Sequence, residues 1–198
     1  MGEVHDRVIA GALRCVARWG VAKTTLDDIA REAGCSRATI YRTFPGGKQA
    51  VMVAAGEAEI QRLLLDLAIA LDGAETLAEL LEVAIVESVR AIRANEALQY
   101  LLVHEPEHLL VHISFDALDP LLAVATDFGA PYLERYLDAR TAREGAEWIA
   151  RLIVSAVIGP CPIDLGDPVV VAGFLDTYVL PGLTARSLSS STPTTSVA

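Results

Sequence analysis

The sequence predicts an all-α chain of about nine helices, and three observations carry that expectation. Apolar residues recur at spacings of three and four along most of the 198 residues, the period of one helix face. Runs that alternate apolar and polar side chains, the mark of a half-buried strand, are lacking. Capping side chains, glycines and prolines punctuate the periodic stretches.

Val8, Ile9, Ala12, Leu13, Val16 and Trp19 form the first stripe, which Gly20 stops. Thr25-Leu-Asp-Asp28 has the form of a capping box opening a short helix that ends at Gly34. Ser36 caps a third helix to about Phe44, and Pro45-Gly46-Gly47 turns the chain into a long helix reaching about Leu71. Thr76 to Glu79 is a second capping box, for a helix to about Ala94. Asn95 caps the next, which must end or kink at Pro106. A helical region follows from Phe115 to Leu137, with Pro120 and Pro131 starting, kinking or dividing it. Thr141 to Glu144 is expected to cap a helix to about Ile158, and Asp167-Pro168 to open the last one. The Ser/Thr-rich tail, 185–198, is expected to be disordered.

Composition narrows the classes. An apolar fraction of 53% with 21% charged residues exceeds what one soluble core needs and points to an oligomer interface or an apolar cavity. The stretch from Ile149 to Ile163 is interrupted by Arg151, Gly159, Pro160 and Pro162, so no membrane span of about 20 residues is expected there. His5, Asp6 and Arg7 occupy the place of a signal peptide's apolar run, so the protein is expected in the cytoplasm. Cys15, Cys35 and Cys161 follow neither a disulfide framework nor a zinc-ligand spacing. The net charge of −10 is uneven: residues 1–50 carry eight basic against five acidic groups, the remainder eight against 21. A basic head on an acidic body attracts phosphate at one end and repels it at the other.

Residues 24–48, TTLDDIAREAGCSRATIYRTFPGGK, carry the chemistry. Two short helices joined through Ala33-Gly34-Cys35 make a helix-turn-helix, with Ile29, Ala30, Ala33 and Ile40 as its small core. The second helix offers Arg37, Ala38, Thr39, Tyr41, Arg42 and Thr43 in one span. Arg37 can reach a guanine bidentately, and the Ala38 and Thr39 methyls suit a thymine methyl. A plain three-helix packing unit would not require a short helix exposing two arginines, two threonines and a tyrosine with no acid to pair them.

The stretch from about residue 7 to residue 52 resembles the DNA-binding domain of the tetracycline-repressor (TetR) family. Gly20, Thr24-Thr25, Asp28-Ile29-Ala30, Ala33-Gly34-Cys35-Ser36, Thr39-Ile40-Tyr41, Phe44 and Lys48 carry the resemblance. It implies a homodimer on a palindromic operator, usually repressing, and released by a small molecule bound in the larger domain. It further implies that Thr25 and Lys48 hold phosphates, that Tyr41 touches the backbone, and that Arg37, Ala38 and Thr39 face bases. The expected organisation is a helix-turn-helix DNA-binding domain over 1–47, an effector-binding and dimerisation domain over 48–184, and the tail.

In the body, Val169, Val170, Val171, Phe174, Leu175, Tyr178 and Leu180 surround the last helix, and an apolar surface on every side needs burial on both faces. With the helix of Trp148, Ile149, Leu152 and Val157, it is expected to form the dimer interface. Tyr100, Phe115, Phe128, Tyr132 and Trp148 are expected to wall an effector cavity for a small apolar or amphipathic molecule, with His104 and His108 as polar anchors. A second class competes. His104-Glu-Pro-Glu-His108 matches the H-E-x-x-H hydrolase pattern, with Glu105 as general base and His112 continuing the spacing. A metal-dependent hydrolase or metal sensor is the alternative, but Pro106 would disrupt the unbroken helix which that chemistry requires. The leading expectation is a regulator with no catalysis and no cofactor.

Overall fold

A computed structural model of the chain describes residues 2–107, 118–159 and 161–190, with side chains to Ala185. Every regular element among the described residues is helical. In chain order these are α1 (Glu3–Lys23), α2 (Leu26–Ala33), α3 (Arg37–Thr43), α4 (Lys48–Asp72), α5 (Leu77–Ala94), α6 (Glu96–His104), α7 (Leu118–Leu133), α8 (Ala139–Ile158) and α9 (Pro168–Phe174). A π-helical turn, Leu175–Val179, then leads directly into α10 (Leu180–Ser190). Helix therefore continues beyond Ala185, where a disordered tail was expected; residues 191–198 lie outside the described residues.

The chain divides into two compact units, Met1–Leu65 with Ala91–Ser114, and Asp66–Arg90 with Phe115–Ala198. The division falls within α4 and α5.

In the first unit, Val8, Ile9, Ala12 and Cys15 of α1 join Ile29, Ala30, Ala33, Ile40, Phe44, Val51 and Ala55 in one buried cluster. The four residues expected to form the core of the helix-turn-helix are all in it. Gly11 lets α1 and α2 approach closely, since a Cβ there would lie 3.2 Å from the Ala33 nitrogen. Arg14 Nε donates to Glu32 Oε1 at 2.6 Å along the same seam. Trp19, expected in the stripe, is 37% exposed. Further along, Asn95 Nδ2 donates to Glu59 Oε2 at 2.5 Å, joining the start of α6 to α4.

Gly20 kinks α1 where a stop was expected. Its backbone (φ 77, ψ 174) is non-helical, and a turn of helix resumes through Lys23. On α4, Val51 is buried as a continuous core requires, but Val53 and Ile60 are exposed.

In the second unit, α7 packs on α8 through small residues: a Cβ on Gly129 would sit 3.4 Å from that of Ala146, and one on Gly145 3.6 Å from Leu133. Asp138, not Thr141, caps α8, its carboxylate accepting the Thr141 N–H at 3.1 Å. Thr141 is buried at the third helical position. The C-terminal end of α4 is tied down by Arg135 Nη2 on the Leu71 carbonyl (3.1 Å) and the Tyr136 hydroxyl on that of Ala74 (3.1 Å).

The last helical run is buried along only one side within the chain. Val171 and Leu175 are buried, whereas Val169 is 81% and Tyr178 74% exposed. Residues Pro168–Ala185 form an 18-residue apolar run, long enough by composition to cross a membrane, of which 11% is buried. The π turn is what joins two shorter helices into this longer one.

Candidate nucleic-acid interface

The helix-turn-helix is built by local chemistry. Thr25 accepts the Asp28 N–H at 3.2 Å, and the Asp28 carboxylate accepts the Thr25 N–H at 3.1 Å, completing the capping box. The Thr25 hydroxyl also donates to Asp28 Oδ2 at 2.5 Å. These bonds, followed by those from Arg31, hold the Asp28 carboxyl below the usual range. Glu32 is lowered too, first by its hydrogen bond from Arg14. Gly34 ends α2 in the left-handed conformation (φ 64, ψ 40), which a side chain would strain. Ser36 then caps α3, accepting the Thr39 N–H at 3.1 Å.

Ile40 is fully buried beneath α3, which leaves Arg37, Ala38, Tyr41 and Arg42 exposed at helical spacing on the other side. Thr39 and Thr43 are half-buried. Their hydroxyls are engaged locally: Thr39 Oγ1 lies 3.0 Å from Ser36 Oγ, and Thr43 donates to the Thr39 carbonyl at 3.0 Å. The Tyr41 ring lies over the following turn, so that a Cβ on Gly47 (φ 63) would come within 3.0 Å of it.

Two expected contact residues have protein partners which the sequence did not reveal. Arg37 Nη1 lies 3.3 Å from Asp27 Oδ2, so the recognition helix does have an acid nearby, supplied by α2. Lys48 Nζ donates to the Val21 carbonyl at 2.6 Å, while Val21 and Ala22 donate their own N–H groups to Glu105 at 2.7 and 3.2 Å. Asp27 and Glu105 stand 10 and 84 positions from their partners, beyond any local spacing rule.

The residues nominated for an effector are only partly described. Tyr100 and His104 pack with tilted rings in the first unit, centroids 4.6 Å apart, as do Phe128 and Tyr132 in the second at 5.3 Å. His108, His112 and Phe115 lie outside the described residues. Trp148 is not a cavity wall within the chain: it is 69% exposed, because α8 turns Ala142, Ala146, Ile149 and Ala150 inward. A groove of about 350 Å³ on α4 and another of about 200 Å³ between α7 and α8 contain none of the nominated residues.

The hydrolase alternative fails on geometry. α6 ends at His104, and Glu105 leaves the helix (φ −138, ψ 51) with its carboxylate on the Val21 and Ala22 N–H groups. Glu105 therefore breaks the uninterrupted helix that the pattern requires, and His108 lies outside the described residues.

A capped pair of short helices, a left-handed glycine between them and an outward face of two arginines and a tyrosine define a helix-turn-helix protein that binds DNA. Residues 8–55 match the model of bacterial regulatory proteins of the tetR family. An uncharacterized HTH-type transcriptional regulator of Mycobacterium tuberculosis is 26% identical over 182 residues, covering 91% of this chain and 87% of the relative. A second regulator from that species is 44% identical over 43 residues, 22% of this chain and 23% of its own. Among solved structures, the TetR family repressor AlkX from Dietzia sp. strain DQ12-45-1b, implicated in biodegradation of n-alkanes, aligns with a TM-score of 0.68. It is 24% identical, with 91% of this chain and 95% of that one covered. The fatty acid degradation regulator FadR from Bacillus halodurans aligns at 0.58 and 20% identity, covering 90% and 97%. Residues 8–55 thus carry the DNA-binding domain of the tetR-family regulatory proteins, and the chain is a DNA-binding transcriptional regulator of that kind.

Proposed function

We propose that this regulator is a cytoplasmic repressor that binds a palindromic operator as a homodimer and is released by a small apolar or amphipathic effector. The exposed face of α3 carries the reading, with residues 1–47 as the DNA-binding module. Arg37 and Ala38 face bases together with the Thr39 methyl. Tyr41, Thr25 and Lys48 meet the backbone, and Ser36, Arg42 and Thr43 flank the contact. The body from residue 48 onward binds effector and dimerises.

The dimer is supported by the apolar surface of α8 and of the last helical run, where Trp148, Val169 and Tyr178 are all more than two-thirds exposed. Such side chains, on helices of one unit, are what a four-helix interface between two copies would cover. The same run contains Asp176 and Pro181, which favours a protein partner over a lipid one. For the effector, Tyr100, Phe128, Tyr132, His104, His108 and Phe115 remain the candidates, and Trp148 moves to the interface. The descriptions of AlkX and FadR concern n-alkanes and fatty acids, an apolar chemistry of the same kind as the one proposed.

Selection of bound fragments from a genomic library, followed by footprinting, tests the reading. An inverted repeat with half-sites about 34 Å apart, or somewhat further, is expected. A protein that stays monomeric at micromolar concentration refutes it. For the effector, linkage requires that operator weaken ligand binding by the same factor by which ligand weakens operator binding. Titration of candidate apolar ligands with and without operator measures both.

A further inference from the structure

We propose that Glu105 is a positioning residue for DNA binding, holding the Lys48 ammonium in place through the peptide of Val21. The inference rests on the proposed phosphate contact of Lys48 and adds to it the group that sets where that contact is made. The first unit contains every member of the arrangement. Gly20 interrupts α1, so the turn that resumes at Val21 begins with N–H groups lacking an intrahelical acceptor. The Glu105 carboxylate receives them, from Val21 at 2.7 Å and from Ala22 at 3.2 Å. A carboxylate at the start of a helical turn is favoured by charge as well as by hydrogen bonding. Glu105 is 8% exposed, and Gly20 lies so close beneath it that a Cβ there would collide with Oε1.

The other end of the Val21 residue faces Lys48, whose ammonium donates to the Val21 carbonyl at 2.6 Å. One residue thus receives Lys48 on its carbonyl and gives its N–H to Glu105. An ammonium has three donors, so Lys48 can hold Val21 and still offer N–H groups to a phosphate. A lysine on a flexible four-carbon stem gains most from such a fixed point, because the ordering cost is met before DNA arrives. Thr24 reinforces the turn, its hydroxyl donating to the Gly20 carbonyl at 2.6 Å.

A double-mutant cycle on the full-length protein tests the proposal, with a mixed-sequence duplex of about 30 base pairs, roughly three helical turns, as the probe. Lys48→Ala should lower the slope of log affinity against log salt by about two units, one for each Lys48 of the proposed dimer. Glu105→Ala should lower it by about the same amount, and the double variant by no more than either single one. Hydrogen exchange at the Val21 and Ala22 amides should rise in Glu105→Ala, and Glu105→Gln, which keeps one acceptor oxygen, should fall between it and the parent. A wild-type slope in Glu105→Ala, or a double variant lower by about four units, overturns the proposal while leaving the Lys48 contact standing. A wild-type slope in Lys48→Ala overturns both. If Glu105→Ala does not fold, Glu105→Gln decides: a partial loss of slope supports the proposal, and an unchanged slope overturns it.

Discussion

Asp27, in the first turn of α2, lies 3.3 Å from the guanidinium of Arg37, the first residue of α3. Both side chains are more than half exposed, and an exposed pair of this kind contributes about 0–1 kcal/mol. A guanine edge, worth about 1–3 kcal/mol of discrimination, competes with it easily. The pair thus parks Arg37 near the recognition face without locking it there.

Arg37→Ala should cost about 1–3 kcal/mol on the cognate base pair and relax preference at that position. Asp27→Asn should leave selectivity intact and strengthen operator binding by up to about five-fold, by removing the competing carboxylate. Fluorescence anisotropy on matched and single-mismatch duplexes reads both. A loss of selectivity in Asp27→Asn would instead mean that the carboxylate orients the arginine.

Gly20→Ala places a Cβ against Glu105 and within 2.7 Å of Tyr100 Cε1, at a φ of 77 that side chains rarely adopt. A destabilisation of about 1–3 kcal/mol is expected from the backbone alone. Thermal denaturation followed by circular dichroism measures it, and an unchanged midpoint would remove the kink from any structural role.

Acid should weaken the DNA-binding module through Asp28 and Glu32. Both carboxyls are lowered in the folded chain, Asp28 first by Thr25 and Glu32 first by Arg14. A lowered folded value means stability that is present above the unfolded value and lost as pH falls through the folded one. The loss therefore falls at and below the ordinary carboxylate range, about pH 4. Melting curves from about pH 5 to about pH 2 should show it. Thr25→Val should flatten the Asp28 part, and a profile identical to the parent's would show that the capping carboxylate does not contribute.

Trp148→Glu combined with Tyr178→Asp should convert the proposed dimer to monomer, because both side chains are exposed on the chain's own surface and largely apolar. Exposed substitutions otherwise change stability by less than about 0.5 kcal/mol, so the monomer should stay folded and lose operator affinity. Sedimentation velocity decides the point. A double variant that remains dimeric would place the interface elsewhere.

The helical elements of the first unit were legible because each is set by residues three or four apart. Thr25 with Asp28 and Ser36 with Thr39 are capping contacts of that reach, and Ile29, Ala30, Ala33 and Ile40 follow one helical period into the core. Local rules also misled where two of them competed. Asp138 and Thr141 are both good caps three positions apart, and Asp138 took the position, leaving Thr141 in the first turn of α8.

The sequence by itself determined the class of this protein: a capped helix-turn-helix with a basic outward face, on an acidic helical body. What only the tertiary structure decided was the set of partners each polar group took. Glu105 reads as a general base in the string His104 to His108, yet it caps a turn 84 residues away. Lys48 reads as a phosphate contact but also holds the Val21 carbonyl, and Trp148 reads as a cavity wall but faces outward. The physical reason is range. Capping and periodicity act within one turn of helix, whereas the partner of a buried carboxylate or an apolar side chain is chosen by which helices the packed chain brings together.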